Sequence, residues 1–370
     1  MTADDGSEDS PWPRRHTRPV MVGDVQIGGG APVSVQTMTK THTRDVGATL
    51  AQIERAAEAG ADLVRVAVPS REAVDAFAEL AAEAAVPLIA DVHFDHRIAV
   101  ACAHAGAAKL RINPGNIGDD ERLEQVAAAA STAGIPIRVG VNSGSLERDL
   151  LQAHGGVTAE ALAESARRTV GRMRRLGFDD LVVSIKAAEV PMTVAANRQF
   201  AGHSDLPLHL GITEAGFGCA AAVKSAAGLG ILLAEGIGDT IRVSMTDPPE
   251  DEVQVGILLL RSLGLRQGPW LISCPTCGRC SVDLAPLARE AAAALRQLDA
   301  PLTVAVMGCE VNGPGEARQA DVGLAAGRGR AVIFARGEQL RTVPIDRAVD
   351  ELMREARRVA AAMQNRDVRH

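Results

Sequence analysis

Four of the six cysteines fall in two short segments near the C-terminus. The first reads Ser273-Cys274-Pro275-Thr276-Cys277-Gly278-Arg279-Cys280, and the second reads Gly308-Cys309-Glu310-Val311-Asn312-Gly313-Pro314-Gly315-Glu316. Cys-x-x-Cys followed by a distant cysteine is the spacing of a metal site, because thiolates bind soft metals and clusters. Three unrelated buried cysteines are the bland alternative. Spacing alone leaves the metal open. Cys-Pro-x-Cys-Gly is also the knuckle of zinc ribbons, which normally close with a second Cys-x-x-Cys. No second pair is present, although Cys274, Cys277, Cys280 and Cys309 together could still hold zinc. A bacterial ferredoxin run would need a cysteine where Leu284 stands, and the Cys-x3-Cys-x2-Cys spacing of radical-generating enzymes is missing. Three thiolates with a weak fourth ligand remain, an arrangement suited to a cluster with one iron open to substrate.

A second set of residues is cationic. Arg65, Arg111, Arg138, Lys186 and Arg242 each stand late in a β-rich run. Polar neighbours recur two residues away in several of these runs: Asp91 with His93, Arg111 with Asn113, Ser184 with Lys186, Arg242 with Ser244, while Arg138 and Asn142 share a fifth. A strand alternates its side chains between two faces, so each set points one way. Only Asp91 and Glu214 are obvious counter-charges at these strand ends. Such an excess wants an anionic ligand, and guanidinium forks suit phosphate oxygens. Internal salt bridges with helix carboxylates are the bland reading; a small diphosphate or similar polyanion is the better one, because the polar positions recur on separate strands.

These residues need elements to hold them. Strand-like runs at 32–39, 61–68, 86–94, 107–114, 135–142, 179–187, 206–214 and 239–246 alternate with Ala/Leu/Glu-rich helical stretches. Eight strands separated by helices predict an α/β TIM barrel, with active-site groups at the carboxyl ends of its strands; an open doubly wound sheet is the alternative. Gly216-Phe217-Gly218, after the seventh strand, is a weak dinucleotide-like motif at a common phosphate position. Asn113-Pro-Gly-Asn116 is a tight turn directly after Arg111. Residues 264–270 read as a linker-like break. Beyond it a smaller α+β domain is predicted, with strands near 270–273, 302–307, 321–325 and 331–335 and helices near 283–298 and 346–363.

With 46% hydrophobic and 23% charged residues, the 370-residue chain has a globular balance and suits two domains. A formal net charge of -7 offers no footprint for nucleic acid, and no stretch is apolar enough to cross a bilayer. Residues 1–18 lack the hydrophobic core of a secretory signal and read as a disordered tail. A cytoplasmic location follows as the expectation, with the cysteines as ligands or thiols rather than disulfides.

Several long stretches carry a family resemblance. They include VGDVQIGGGAPVSVQTMT, VPLIADVHFDHRIA, LRINPGNIGD, IPIRVGVNSGSLERDL, VKSAAGLGILLAEGIGDTIRVS, SCPTCGRC and GCEVNGPGEA, and they run in order from about residue 18 to 360. The sequence resembles the bacterial 4-hydroxy-3-methylbut-2-enyl diphosphate synthase family, reductive enzymes of the non-mevalonate isoprenoid pathway. The resemblance implies a TIM barrel over 19–265 joined to a ferredoxin-dependent-reductase-like domain over 270–363. It implies a [4Fe-4S] cluster held by Cys274, Cys277, Cys309 and Glu316, with Cys280 a spectator. The implied substrate is 2-C-methyl-D-erythritol 2,4-cyclodiphosphate, bound by Arg65, Arg111, Arg138, Lys186, Arg242 and Ser244 with help from Asn113 and Asn142. Glu214 would deliver a proton or stabilise positive charge; a salt bridge to Lys186 or Arg242 is its structural alternative. Electrons would come singly from flavodoxin or ferredoxin, and a head-to-tail homodimer would bring each cluster to the other subunit's barrel. Departures from the family pattern are Phe217-Gly218-Cys219 and His96, which stands where tyrosine is common and reads as a packing substitution. His93 and His209 could line the pocket or be structural. Rival readings are a non-redox phosphate-binding barrel transferase of pterin-synthase type with structural zinc, and a non-enzymatic cluster or zinc scaffold.

Overall fold

The structure is a computed structural model that describes residues 12–298, 300–309 and 313–367. The chain divides into two compact units, Met1–Arg266 and Gln267–His370.

The first unit opens with an antiparallel hairpin of β1 (Val20–Val22) and β2 (Val25–Ile27). Eight parallel strands follow: β3 (Ser34–Met38), β4 (Leu63–Ala67), β5 (Leu88–Asp91), β6 (Lys109–Ile112), β7 (Ile137–Asn142), β8 (Leu181–Lys186), β9 (His209–Leu210) and β10 (Thr240–Ile241). They pair in the order β8-β7-β6-β5-β4-β3-β10-β9, and a parallel bridge from Val183 to Leu208 joins the ends into a ring. This is the expected TIM barrel. Helices on its outside share one apolar core with the outward faces of the strands, among them Phe77, Leu80, Val126, Val170 and Leu260. The helix Asp120–Ala133 shows how local signals delimit these helices. The Asp119 carboxylate accepts the backbone N–H of Arg122 at its start, and Gly134, at φ 65°, ends it in the left-handed region.

Three features differ from the sequence expectation. The seventh and eighth barrel strands, expected over 206–214 and 239–246, pair regularly over only two residues each. Pro207 has no N–H to give, and Gly238 and Glu214 take positive φ at 122° and 53°. The Asp239 carboxylate fills part of the gap, accepting the N–H of Leu208 at 2.8 Å and the Thr17 hydroxyl at 2.9 Å. Residues 12–18, expected within a disordered tail, instead hold fixed contacts; residues 1–11 lie outside the described residues. Trp12 Nε1 donates to the Leu263 carbonyl at 2.8 Å, Arg14 pairs with Asp239 at 3.1 Å, and Arg18 pairs with Asp179 at 2.8 Å. Finally, the β1–β2 hairpin buries Val22 and Ile27 against Leu63 and Ile89, at the amino-terminal ends of β4 and β5. It therefore plugs the end of the barrel opposite the mouth.

The second unit is a five-stranded mixed sheet in sequence order: β11 (Trp270–Ser273), β12 (Thr303–Met307), β13 (Val322–Gly327), β14 (Arg330–Ala335) and β15 (Glu338–Pro344). The first three run parallel and the last two antiparallel. Alternation along β12 and β13 sorts two cores. Val304, Val306, Val322 and Leu324 meet the helices Leu284–Leu295 and Ala348–Asp367, whereas Ala305, Met307 and Ala325 meet the short helix Gly313–Gln319. That short helix and β15 were not expected. A Cβ on Gly323 would lie 2.2 Å from the Ala317 carbonyl oxygen, so only glycine lets the helix approach β13 so closely.

Candidate active site

The barrel register collects the expected cations on the inner wall at the mouth. Asp91 pairs laterally with Arg111, Arg111 with Arg138, and Asn142 with Lys186. Arg111 donates to Asp91 at 3.1 Å and lies 3.2 Å from a ring nitrogen of His93. Arg65 stands 3.8 Å from Asp91 and also donates to the Met38 sulfur at 2.9 Å. Arg242 points at the same sulfur and forms a two-pronged pair with Glu252, both contacts at 3.2 Å. Two guanidiniums thus share one thioether, a weak acceptor, between them.

Glu252 is the counter-charge that the strand ends do not reveal. It comes from the helix Pro249–Ser262, is 1% exposed, and accepts also from the Thr37 hydroxyl and the Met245 N–H. Glu214, by contrast, is exposed on the turn after β9, and among the described residues it forms no ion pair with Lys186 or Arg242. Ser244 and Asn142 are half-buried. The Asn113 side-chain amide donates to the Ser145 hydroxyl at 3.1 Å, and its oxygen caps the Gly115 N–H, so it braces the turn that follows β6.

Even with Asp91 and Glu252 the charge does not balance. Arg138 is 1% exposed, and its Nε and Nη1 find no hydrogen-bond partner. Burial, then the charges of Arg65 and Arg111, push its guanidinium well below its ordinary value. Lys186 is lowered in the same way by burial and by Arg138, Arg65, Arg242 and Arg111. Burial takes Arg65 down to about 10 despite the pull of Asp91. Asp91 shows the converse: burial would raise its carboxyl, but Arg65, the His93 hydrogen bond and Arg111 hold it well below the usual carboxylate range. Arg65, Arg111 and Arg242 act on both Arg138 and Lys186, so the five converge on one region. Two inward glycines leave them room. A Cβ on Gly140 would stand 3.1 Å from Arg111 Nη2, and one on Gly211 would stand 2.5 Å from Lys186 Nζ.

Beneath this ring lies a layer that sequence reasoning only partly named. Lys109 and His209 are fully buried, and neither the Lys109 amine nor either His209 ring nitrogen has a partner. Lys109 stands two residues before Arg111, so strand alternation alone could have found it. His96 lies in the first turn of the helix His96–His104, its Nδ1 3.8 Å from Asp95.

In the second unit, the carboxyl ends of β11 and β12 bring the cysteine segments together. Cys274, Cys277, Cys309 and Glu316 line one cavity of about 220 Å³ together with Arg279 and Met307. Among the described residues no group of three or more His, Cys, Asp or Glu lies close enough to hold a single metal ion. Thr276, at φ 61°, turns the loop between Cys274 and Cys277 through the left-handed region. The Arg279 backbone N–H, against the opposing effect of burial and with help from the Arg279 side chain, holds the Cys277 thiol below its ordinary value, which favours the thiolate. Cys280 is turned away. Its thiol donates to the Val282 carbonyl at 3.3 Å and packs under Gly308, where a Cβ would come within 2.5 Å of the sulfur. Glu310 to Asn312 lie outside the described residues.

Both units match known families. The GcpE TIM-barrel domain matches residues 17–257 and the GcpE protein C-terminal domain matches residues 270–358. The 4-hydroxy-3-methylbut-2-en-1-yl diphosphate synthase (flavodoxin) of Geobacter sulfurreducens is 52% identical over 346 residues, covering 93% of this chain and 98% of the relative. The enzymes of the same name from Salinispora tropica and Ruminiclostridium cellulolyticum are 51% and 48% identical, covering 95% and 92% of this chain and 90% and 97% of theirs. Identity at this level across both units, together with the two domain matches, means that the chain belongs to the GcpE family.

Proposed function

We propose that the chain reduces 2-C-methyl-D-erythritol 2,4-cyclodiphosphate to (E)-4-hydroxy-3-methylbut-2-enyl diphosphate, an oxidoreductase step in isoprenoid precursor synthesis. The observation that carries this reading is the buried surplus of cations at the barrel mouth, with Arg138 donors left unpartnered. Such groups are costly to bury unless an anion completes them. The pterin-synthase-type and scaffold readings lose ground, because family membership extends through the cysteine-bearing unit.

The conversion takes up two electrons and one proton, opens the ring at a carbon–oxygen bond and releases one water, so the dianionic substrate becomes a trianionic product. In this reading Arg65, Arg111, Arg138, Lys186 and Arg242 bind the phosphates, and Ser244, Asn113 and Asn142 orient them. Because the cations are fixed before the reaction, they favour the state in which a further negative charge develops on phosphate oxygen. Asp91 and Glu252 hold the guanidiniums in place, and Glu214 on its exposed turn delivers the proton.

Cys274, Cys277, Cys309 and Glu316 would hold a [4Fe-4S] cluster. Three sulfur donors and one oxygen donor around a single cavity, with Cys277 biased toward thiolate, suit it. When bound, the cluster supplies electrons one at a time and a Lewis-acidic iron. The carboxylate is the harder and more readily displaced donor of the four. Flavodoxin, which appears in the relatives' names, or ferredoxin supplies the electrons. The active form is a head-to-tail homodimer in which each cysteine-bearing unit serves the partner subunit's barrel; light scattering that finds a fully active monomer would exclude it. Among the described residues no helix is long and apolar enough to cross a membrane, and we place the enzyme in the reducing cytoplasm.

Anaerobically purified protein is expected to carry about four iron and four sulfide per chain, and to turn over the cyclodiphosphate with a chemical reductant. Stoichiometric zinc with no turnover would sink the reading. The charge pattern adds a pH signature. A bound dianion raises the lowered value of Lys186, so binding takes up protons. Affinity therefore falls as pH rises above the free-state value of that amine. Calorimetric titrations in buffers of different ionisation enthalpy measure the uptake directly; equal heats in all buffers would contradict it.

A further inference from the structure

The carboxyl edge of the second sheet carries a second cavity, of about 300 Å³. It is bordered by Cys309, Pro314, Ala325, Gly327, Arg328 and Arg330, so it shares Cys309 with the cavity lined by the other cysteines. The parallel register explains the meeting. Ser273 pairs with Val306 and Met307 with Ala325, so β11, β12 and β13 all end at one edge. There β13 turns into β14 through Arg328 and Gly329, with Gly327 opposite Arg330. Both arginines are exposed, as is Arg279 at the rim of the neighbouring cavity. Among the described residues none of the three pairs with a carboxylate, whereas many other surface arginines of the chain do, for example Arg168, Arg198 and Arg358. The cationic rim runs against the chain's net charge of -7. A surplus of one sign on an oppositely charged protein orients a partner at encounter.

We infer that Arg328 and Arg330, with Arg279, form the docking surface for an acidic one-electron carrier, which delivers its electrons beside Cys309. The inference rests on the proposed reductive function. It adds the surface, the charge and the side of the sheet from which the carrier comes. A patch that only kept the protein soluble would have no reason to concentrate at the edge where the cysteine cavities open. Docking there brings the carrier's redox group to a cavity that shares Cys309 with the cysteine-lined one.

The test is the double variant Arg328→Glu/Arg330→Glu in the full holoenzyme, with reduced flavodoxin as carrier and reduced methyl viologen as a small cationic reductant. With flavodoxin, KM is expected to rise at least about tenfold while kcat at saturation stays within about twofold. The decline of wild-type kcat/KM with added salt should flatten in the variant. Viologen-driven turnover should stay within about twofold or improve, which separates docking from damage to the site. Direct titration with flavodoxin should show at least about tenfold weaker binding. Unchanged binding and unchanged KM in a folded variant overturn the inference, as does an equal loss with both reductants. Wild type that binds flavodoxin but turns over with neither reductant defeats the proposed function instead, and the binding titration still decides the surface.

Discussion

Cys309→Ser is expected to purify without iron or visible colour and with turnover below about 1% of wild type. The substitution is nearly isosteric, but a hydroxyl stays protonated where a thiolate would bind iron, and oxygen is a poor partner for a soft cluster. Cys309 is 5% exposed just beyond β12 and borders both cavities of the second unit, so its sulfur faces the space the cluster would fill. The barrel should be indifferent. It lies in a separate compact unit with its own core, so its melting transition should be unmoved. Cys280→Ser is the control. Its sulfur donates to the Val282 carbonyl and lines neither cavity, so the variant should keep its iron and stay within about twofold in turnover. A colourless Cys280 variant beside a coloured Cys309 variant would make Cys280, not Cys309, the third thiolate and end the present assignment.

Legibility in the sequence followed the range of each physical signal. Strand alternation is local, so Arg65, Arg111, Arg138, Lys186 and Arg242 could be placed on one inner wall from their positions alone. Lys109 obeys the same rule but stands one layer deeper, away from the carboxyl strand ends that mark a barrel's active site. Glu252 was out of reach. Its pairing with Arg242 crosses from a helix to a strand, and nothing in Pro-Pro-Glu-Asp-Glu says which acid turns inward. Residues 12–18 looked like a tail because their contacts are made by arginines and a tryptophan to backbone carbonyls and acids far along the chain. The hairpin of β1 and β2 has strands of three residues, below the length at which alternation can be recognised. The helix Gly313–Gln319 hid behind its two glycines and proline, residues that normally mark a turn. The cysteine spacing carries its metal signal locally, but the turning of Cys280 away from the cavity is a tertiary fact. Its cause is the room left by Gly308.

Arg138→Met is expected to make the substrate-free protein more stable and the enzyme much worse. In the free enzyme the guanidinium is buried among Arg65, Arg111 and Arg242, whose effect on it Asp91 offsets only in part, and two of its three nitrogens have no partner. Replacing an uncompensated buried charge with an apolar chain of similar length removes that cost. A gain of about 1–3 kcal/mol in unfolding free energy follows. Methionine also fits irregular space without strain. The same change takes two or more charge-assisted donors from a bound phosphate, a loss of about 3–4 kcal/mol, or about 10²–10³-fold in kcat/KM. Arg138→Lys should restore only part of this, because a single ammonium cannot reproduce the planar fork. Chemical denaturation of the substrate-free forms and turnover of the cyclodiphosphate give the two readings independently. A variant that loses stability while keeping kcat/KM would make Arg138 a structural residue and remove the strongest reason for placing an anion at the mouth. Opposite shifts in the two quantities would identify the stored instability of the cationic ring as the source of its grip on substrate.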